Sequence, residues 1–289
     1  MSYKITAIGP ICTLGEGPLW HPQRKRLFWF DIPRGKLHSS NPFGDQKRSW
    51  DFGEAASAMG WIDRQTLLVA TASGLQKLNL FTGRWETLVE VETDNPNTQS
   101  NDGRAGPGGH FWFGTVGTKL EKNAGSYYLY ANGRLEKLFD GVSVPNSTCF
   151  SPDGKTAYLG DTVAQIVWRW ELDKHGLPTG DKQVHLDFTE TTIYPDGSVC
   201  DQEGYLWNAQ WDSSRIARYA PNGKLDRTIS LPVTRPTCPA FGGPDLNWLY
   251  VTTATMGLSE TELSKQPNAG RVLSIKLDVV GIPEFPVVI

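Results

Sequence analysis

The chain has 289 residues, 39% of them hydrophobic and 20% charged, which is enough apolar material for a substantial buried core. Its formal net charge of −3 argues against a general nucleic-acid or anionic-membrane binder, because those need clustered excess Lys and Arg. No apolar run approaches the roughly 18–20 residues that span a bilayer, and the opening MSYKITAIGP lacks the apolar core of a secretory signal.

The N-terminal half repeats one pattern. Glu16-Gly17-Pro18-Leu19-Trp20 leads through a basic turn, Gln23 to Arg26, into Leu27-Phe28-Trp29-Phe30-Asp31. Ala58-Met59-Gly60-Trp61 leads through Asp63-Arg64-Gln65 into Thr66-Leu67-Leu68-Val69-Ala70. Asn101-Asp102-Gly103-Arg104-Ala105 leads through a glycine-rich turn into His110-Phe111-Trp112-Phe113. Pro145-Asn146-Ser147-Thr148-Cys149-Phe150 leads through Pro152-Asp153-Gly154 into Thr156-Ala157-Tyr158-Leu159.

The C-terminal half continues it. The acidic turn Pro195-Asp196-Gly197 precedes the apolar run Ser198-Val199-Cys200, and Asp201 to Gly204 turns it into Tyr205-Leu206-Trp207-Asn208-Ala209. Cys238-Pro239-Ala240-Phe241 leads through Gly242 to Asp245 into Trp248-Leu249-Tyr250-Val251. Leu258 to Gln266 is the best helical candidate, capped by Ser259 or Thr261. The end segments, Lys4 to Cys12, Arg271 to Leu277 and Phe285 to Ile289, read as strands that share one blade.

These are hairpins joined by short turns, each followed by two further strand-like runs. About six copies recur with a period of roughly 40–50 residues, and four strands at that period mark a β-propeller blade. The expected fold is therefore all-β: one six-bladed propeller domain over residues 1–289, its ring closed by N- and C-terminal strands. The even spacing speaks against a pair of β-sandwiches. The four cysteines (Cys12, Cys149, Cys200 and Cys238) form no CxxC pair and each adjoins an apolar strand. They read as buried free thiols in a reducing compartment, with the cytoplasm as the expected location.

In a propeller the innermost strand of each blade lines a central channel, and its first residues lie at one rim. That place holds Glu16, Asn101-Asp102, Asn146 and Asp196, with weak copies near Ala58 and Thr237-Cys238. Two carboxylates and two amides offer oxygen donors to a hard divalent cation, and two negative charges balance one. Asp102 is expected to bond its own turn. Taken singly, Asn101-Asp102-Gly103 and Asp196-Gly197 are ordinary turn dipeptides; the case rests on Glu16, Asn146 and Asp196 sharing a register in different blades. The five histidines fall in turns or outer strands and are not expected to bind the ion.

These residues resemble the SMP-30/gluconolactonase/LRE-like family, which includes regucalcin and bacterial sugar lactonases. Leu14-Gly15-Glu16-Gly17-Pro18 with Trp20 is similar to its opening signature. Asn101-Asp102-Gly103, Pro145-Asn146, Ser151 to Lys155, Pro195-Asp196-Gly197 and Phe241-Gly242-Gly243 fall where the family has them. The look is nearest to aldonolactonases such as xylono- and arabinolactonases. The resemblance implies one divalent metal at the channel mouth held by Glu16, Asn146 and Asp196. Ca²⁺ is the first choice, with Zn²⁺, Mg²⁺, Mn²⁺ and Fe²⁺ as alternatives. It also implies that Asn101 contacts substrate or lies near the metal. Many members carry Arg two residues before the Asn-Asp-Gly; here that place is Gln99, which keeps hydrogen bonding but loses the charge and the fork. Lys119 or Lys122 on the following loop would replace the charge.

The expected function is metal-dependent hydrolysis of a sugar lactone to the open sugar acid. Asp196 would orient or deprotonate the attacking water, Asn101 and Gln99 would hold sugar hydroxyls, and Tyr194 and Trp211 would offer an apolar wall. The rivals are a phosphotriesterase or aryl esterase on the same scaffold and a non-enzymatic Ca²⁺-binding propeller. No GxSxG elbow or HExxH supports a serine-hydrolase or zincin reading. The expected partner is a small-molecule lactone, with neither nucleic acid nor membrane, on a monomer or weak homo-oligomer.

Overall fold

A computed structural model describes residues 3–289. Twenty-four strands assemble into six four-stranded antiparallel sheets, a six-bladed β-propeller. The inner strands of blades 1 to 6 are Gly15–His21, Ala56–Trp61, Thr98–Ala105, Pro145–Phe150, Tyr194–Cys200 and Pro236–Gly242. Blades 1 to 5 each add three strands in chain order. Blade 6 takes Trp248–Thr253 and Val272–Lys276, and its outermost strand is Ile5–Ile8 from the start of the chain, paired Ile5 to Ile275 and Ile8 to Val272. Ile5–Ile8 and Val272–Lys276 thus lie in one sheet.

Phe285 to Ile289 does not join that blade. It lies across the far end of the channel, where Val287 N donates to Trp61 O at 2.7 Å and Val288 N to Gly109 O at 2.8 Å. Prolines 283 and 286 remove donors that a sheet ladder would need. The predicted helix is shorter than expected, Glu260–Lys265. Ser259 is its cap and forms a capping box with Glu262.

The strand period of two explains how blades pack. In the second strand of blade 1, Arg26–Asp31, Leu27 and Trp29 turn toward blade 6 and join Trp20 and Tyr250. Phe28 and Phe30 turn the other way, onto Met59, Leu67 and Val69 of blade 2. Blade 3 repeats this, with Phe111 and Phe113 facing one neighbour and Trp112 the other. Burial of each such side chain stabilises by about 1.5–3 kcal/mol. Burial falls from channel to rim: Pro236–Gly242 is buried throughout, whereas Leu225–Ser230, the outer strand of blade 5, buries only Ile229. Among the described residues no helix is long and apolar enough to cross a membrane.

Candidate active site

Each inner strand carries an irregularity at the same place, near the mouth of the channel. In blade 1, Glu16 pairs with Phe30 and Leu19 with Phe28, so Gly17 and Pro18 together face one residue. The same two-against-one count falls at 101–102, 147–148, 196–197 and 237–238. In blade 2 the extra residue is Ser57 alone. These are β-bulges, which bend a strand and re-aim its side chains. Asp196 therefore sits inside the strand Tyr194–Cys200, not in a turn ahead of it. The bulge takes up the residues that composition marks as a turn.

The shared register also needs correction. Glu16 and Asn146 hold the last paired position before the bulge, while Asp196 and Asn101 hold the first bulged one. Backbone conformation accounts for the difference. The residue after Glu16 is Gly17 at φ 52°, and the residue after Asn146 is Ser147 at φ 62°. Both are left-handed, a conformation costly for serine. A side chain at position 17 would also meet Ser57 O at 2.3 Å from its Cβ. In blade 5 the neighbour is again glycine, and a Cβ on Gly197 would lie 2.3 Å from Cys238 Sγ.

Bonds within and between neighbouring blades hold these positions. Asn101 Nδ2 donates to Pro145 O at 2.8 Å and reaches Asn146 Oδ1 at 3.4 Å. Asn146 Nδ2 donates to Thr162 Oγ1 at 2.7 Å. Ser147 Oγ donates to Asp196 O at 2.6 Å, and Asn208 Nδ2 to the same oxygen at 3.1 Å. Thr237 Oγ1 donates to Gly15 O at 2.6 Å, joining blade 6 to blade 1. Asp102, expected to bond its own turn, is stabilised there by Gly103 N and also accepts from Thr148 N of blade 4 at 2.6 Å. The bulge carries its carboxylate across the blade boundary.

Glu16, Asp196 and Asp102 are 7%, 6% and 5% exposed. Among the described residues no Lys, Arg or His lies within salt-bridge distance of any of them. Burial, then the charges of Asp196 and Asp102, push the Glu16 carboxyl well above the usual carboxylate range. Burial and Asp102 do the same to Asp196, and burial raises Asp102 against the bond from Thr148. Burial and the Glu16 charge raise the Cys238 thiol well above its usual value. Glu16 Oε2 accepts from Gly17 N at 2.9 Å and Asp196 Oδ1 from Gly197 N at 3.0 Å, which leaves one oxygen of each carboxylate without a protein partner. Buried charges without counter-charge are costly. This donor set of two uncompensated carboxylates and an amide oxygen fits a hard divalent cation. Among the described residues no three His, Cys, Asp or Glu side chains are grouped to hold an ion by themselves. An ion held by Glu16 and Asp196 would therefore need further oxygen donors, of which the Asn146 amide offers one.

The remaining predicted residues lie around the mouth. Gln99 is half-buried, opposite Val116. Lys119 and Lys122 are exposed on the loop between Phe111–Gly117 and Gly125–Ala131, and neither ammonium pairs with a carboxylate among the described residues. Tyr194 is exposed and pairs with Trp211, whose ring carries the Arg235 guanidinium at 5.0 Å. His21 departs from expectation: it ends the inner strand of blade 1, fully buried, and burial lowers it to about 4. Its Nε2 lies 3.1 Å from Asp63 O, away from the mouth residues. Sequence reasoning passed over Thr162, which bonds Asn146 of its own blade and Pro195 O of the next, and Asn208, which bonds Asp196 O of its own blade and Ser147 Oγ of the preceding one. The Asp-Thr pair ending the second strand of blade 4 was the one available signal for Thr162.

The family model described as SMP-30/Gluconolactonase/LRE-like region matches residues 14–255 of the chain. The 6-deoxy-6-sulfogluconolactonase of Pseudomonas putida is 34% identical over 273 residues, which cover 94% of each protein. The L-arabinolactonase of Azospirillum brasilense is 34% identical over 265 residues, 90% of this chain and 87% of the relative. Among solved structures, the calcium-binding protein regucalcin of Agrobacterium tumefaciens strain C58 superposes with a TM-score of 0.96 at 37% identity, covering 99% of this chain and 98% of that one.

Proposed function

Because the chain belongs to the SMP-30/gluconolactonase/LRE-like family, we propose that it hydrolyses a sugar lactone to the open sugar acid with a divalent cation at the channel mouth. The observation that carries the reading is the trio Glu16, Asn146 and Asp196: two buried carboxylates without a counter-charge beside an amide oxygen, on three bulges of one channel. The sugar-lactonase names of the relatives support the substrate class, and the calcium-binding regucalcin supports Ca²⁺ as the first cation to test.

In this reading Glu16, Asn146 and Asp196 hold the cation, which when bound supplies Lewis acidity toward the ester carbonyl. Asp196 keeps one oxygen on Gly197 N; the other would orient the attacking water, take its proton and return it to the ring oxygen as the ester C–O bond breaks. Asn101 spends its amide N–H on Pro145 O, so its carbonyl oxygen is left for a sugar hydroxyl. Gln99, half-buried beside it, presents a neutral amide to the same substrate. Tyr194 and Trp211 border the mouth. Lys119 offers a positive charge to a substrate that carries an anionic substituent. We place residues 1–289 in one propeller domain, supported by the pairing of Ile5–Ile8 with Val272–Lys276, and in the cytoplasm, supported by four buried, unpaired cysteines.

The test is acid release from pentono-, hexono- and aldarolactones after chelation and resupply of Ca²⁺, Mg²⁺, Mn²⁺, Zn²⁺ or Fe²⁺. Turnover that returns with a cation and is lost in Asp196→Ala is the expected result. No turnover on any lactone with a cation demonstrably bound would overturn the reading and favour the esterase or the binding protein.

A further inference from the structure

We propose that Thr162 is the positioning residue that presents Asn146 Oδ1 to the cation, an inference that rests on the site proposed above. The argument follows the protons. Pro195 O is a carbonyl and can only accept, so the Thr162 hydroxyl 2.7 Å away must donate to it. With its one proton spent, Thr162 Oγ1 can only accept from Asn146, also at 2.7 Å. The atom that Asn146 turns to Thr162 is therefore its NH₂, and Oδ1 is the atom left to face the channel. The hydrogen-bond network thus assigns the amide orientation.

Thr162 is itself held rigidly. Its backbone N–H donates to Val144 O at 3.0 Å. The Asp161 carboxylate before it accepts from Ser143 N, Val144 N, Val163 N and Ala164 N at 2.8–3.3 Å, which fixes the loop to the start of the inner strand. One hydroxyl thus ties the Asn146 amide of blade 4 to the backbone immediately before Asp196 in blade 5. Without it, only the long contact from Asn101 Nδ2 to Oδ1 at 3.4 Å distinguishes the two ends of the amide, and an NH₂ end repels a cation. Partners that orient a ligand in this way are typically worth 10–100-fold in metal affinity.

The test is calorimetric titration of the chelated full-length protein with Ca²⁺ alone, and with Mn²⁺ as a second probe. Wild type is compared with Thr162→Val, Thr162→Ser, Thr162→Ala and Asn146→Ala, and the melting temperature of each is measured in chelator. Thr162→Val and Thr162→Ala are expected to weaken binding about 10–100-fold. Thr162→Ser, which keeps the hydroxyl, stays near wild type. Lactone turnover in Thr162→Val returns toward the wild-type kcat at saturating cation. Unchanged affinity in both the Val and Ala variants, or a lowered melting temperature in chelator as their only effect, overturns the proposal and leaves Thr162 a tie between blades. Failure of the underlying site looks different: wild type binds neither ion, or Asn146→Ala binds as wild type does, and the proposal falls with it.

Discussion

The two ends of the central channel are built from the same six inner strands and have opposite electrostatics. At the mouth, Glu16, Asp102 and Asp196 are buried, with no cationic side chain in salt-bridge reach among the described residues. At the far end the buried guanidinium of Arg104 is fully compensated. It pairs with Glu284 of the C-terminal segment and donates to Thr148 O, Ser198 O and Pro239 O of three other blades. Burial alone would lower this guanidinium; the Glu284 carboxylate, together with further negative groups that include Asp102, offsets that, and the net shift is upward. The space around the pair is about 10 Å³, bounded by Cys149, Cys200 and Phe285, roughly one water. One end buries carboxylates without a counter-charge among the described residues, and the other pairs its charge across the blades.

The largest expected effect tests the mouth. Asp196→Ala is expected to lower kcat/KM on the best lactone by about three orders of magnitude. Its melting temperature in chelator should equal or exceed that of wild type, because a buried, repelled carboxylate has been removed. A large loss of chelated stability would show that Asp196 is structural and the contrast between the ends false.

Next comes the far end. Glu284→Gln leaves Arg104 buried without its counter-charge and should cost about 3–5 kcal/mol in denaturant unfolding. Replacing Arg104 by Met and Glu284 by Leu together should cost less than Glu284→Gln alone. In both proteins kcat/KM per folded molecule should stay within a few-fold of wild type. A selective loss of activity would instead couple the plug to the mouth.

Third, the mouth carboxylates make stability depend on pH in an unusual direction. Their folded-state values are raised, so the folded protein binds protons that the unfolded chain releases above its ordinary carboxylate range, near ~4. In chelator, this contribution is complete below that range and is lost as pH rises through the folded-state values. Saturating Ca²⁺ should remove the loss, and Glu16→Gln should shrink it. Thermal melts across pH with and without Ca²⁺ check both; identical profiles would mean that no ion replaces those protons.

The smallest effect concerns specificity. Gln99→Arg restores a charge at the rim without touching a buried contact. We expect no more than about a tenfold change in kcat/KM between neutral and anionic lactones, about 1.4 kcal/mol, with an unaltered melting temperature. An unchanged ranking across the panel would remove Gln99 from the sugar site.

The pattern of residues carried the fold a long way. Strands alternate side chains between two faces, so runs such as Leu27-Phe28-Trp29-Phe30 announce a strand buried on both sides, and the spacing of such runs counts the blades. Glu16, Asn101, Asn146 and Asp196 were legible as mouth residues for the same reason: each lies at one place in a repeat. The tertiary structure decided what the repeat could not. A bulge and a turn draw on the same glycines and short polar residues, so only the strand pairing shows Asp196 inside a strand and one step out of register with Glu16. Asp102 reaches Thr148 N across a blade boundary, and Thr162 links Asn146 of its own blade to Pro195 O of the next, contacts that no local pattern encodes. Phe285 to Ile289 reads as a strand by composition, yet its prolines and the open end of the channel place it as a plug. Local chemistry in this chain determines which elements form and which side chains can hold an ion. Contacts between blades decide which atoms of those side chains face the channel, because they depend on hydrogen-bond partners far apart in sequence.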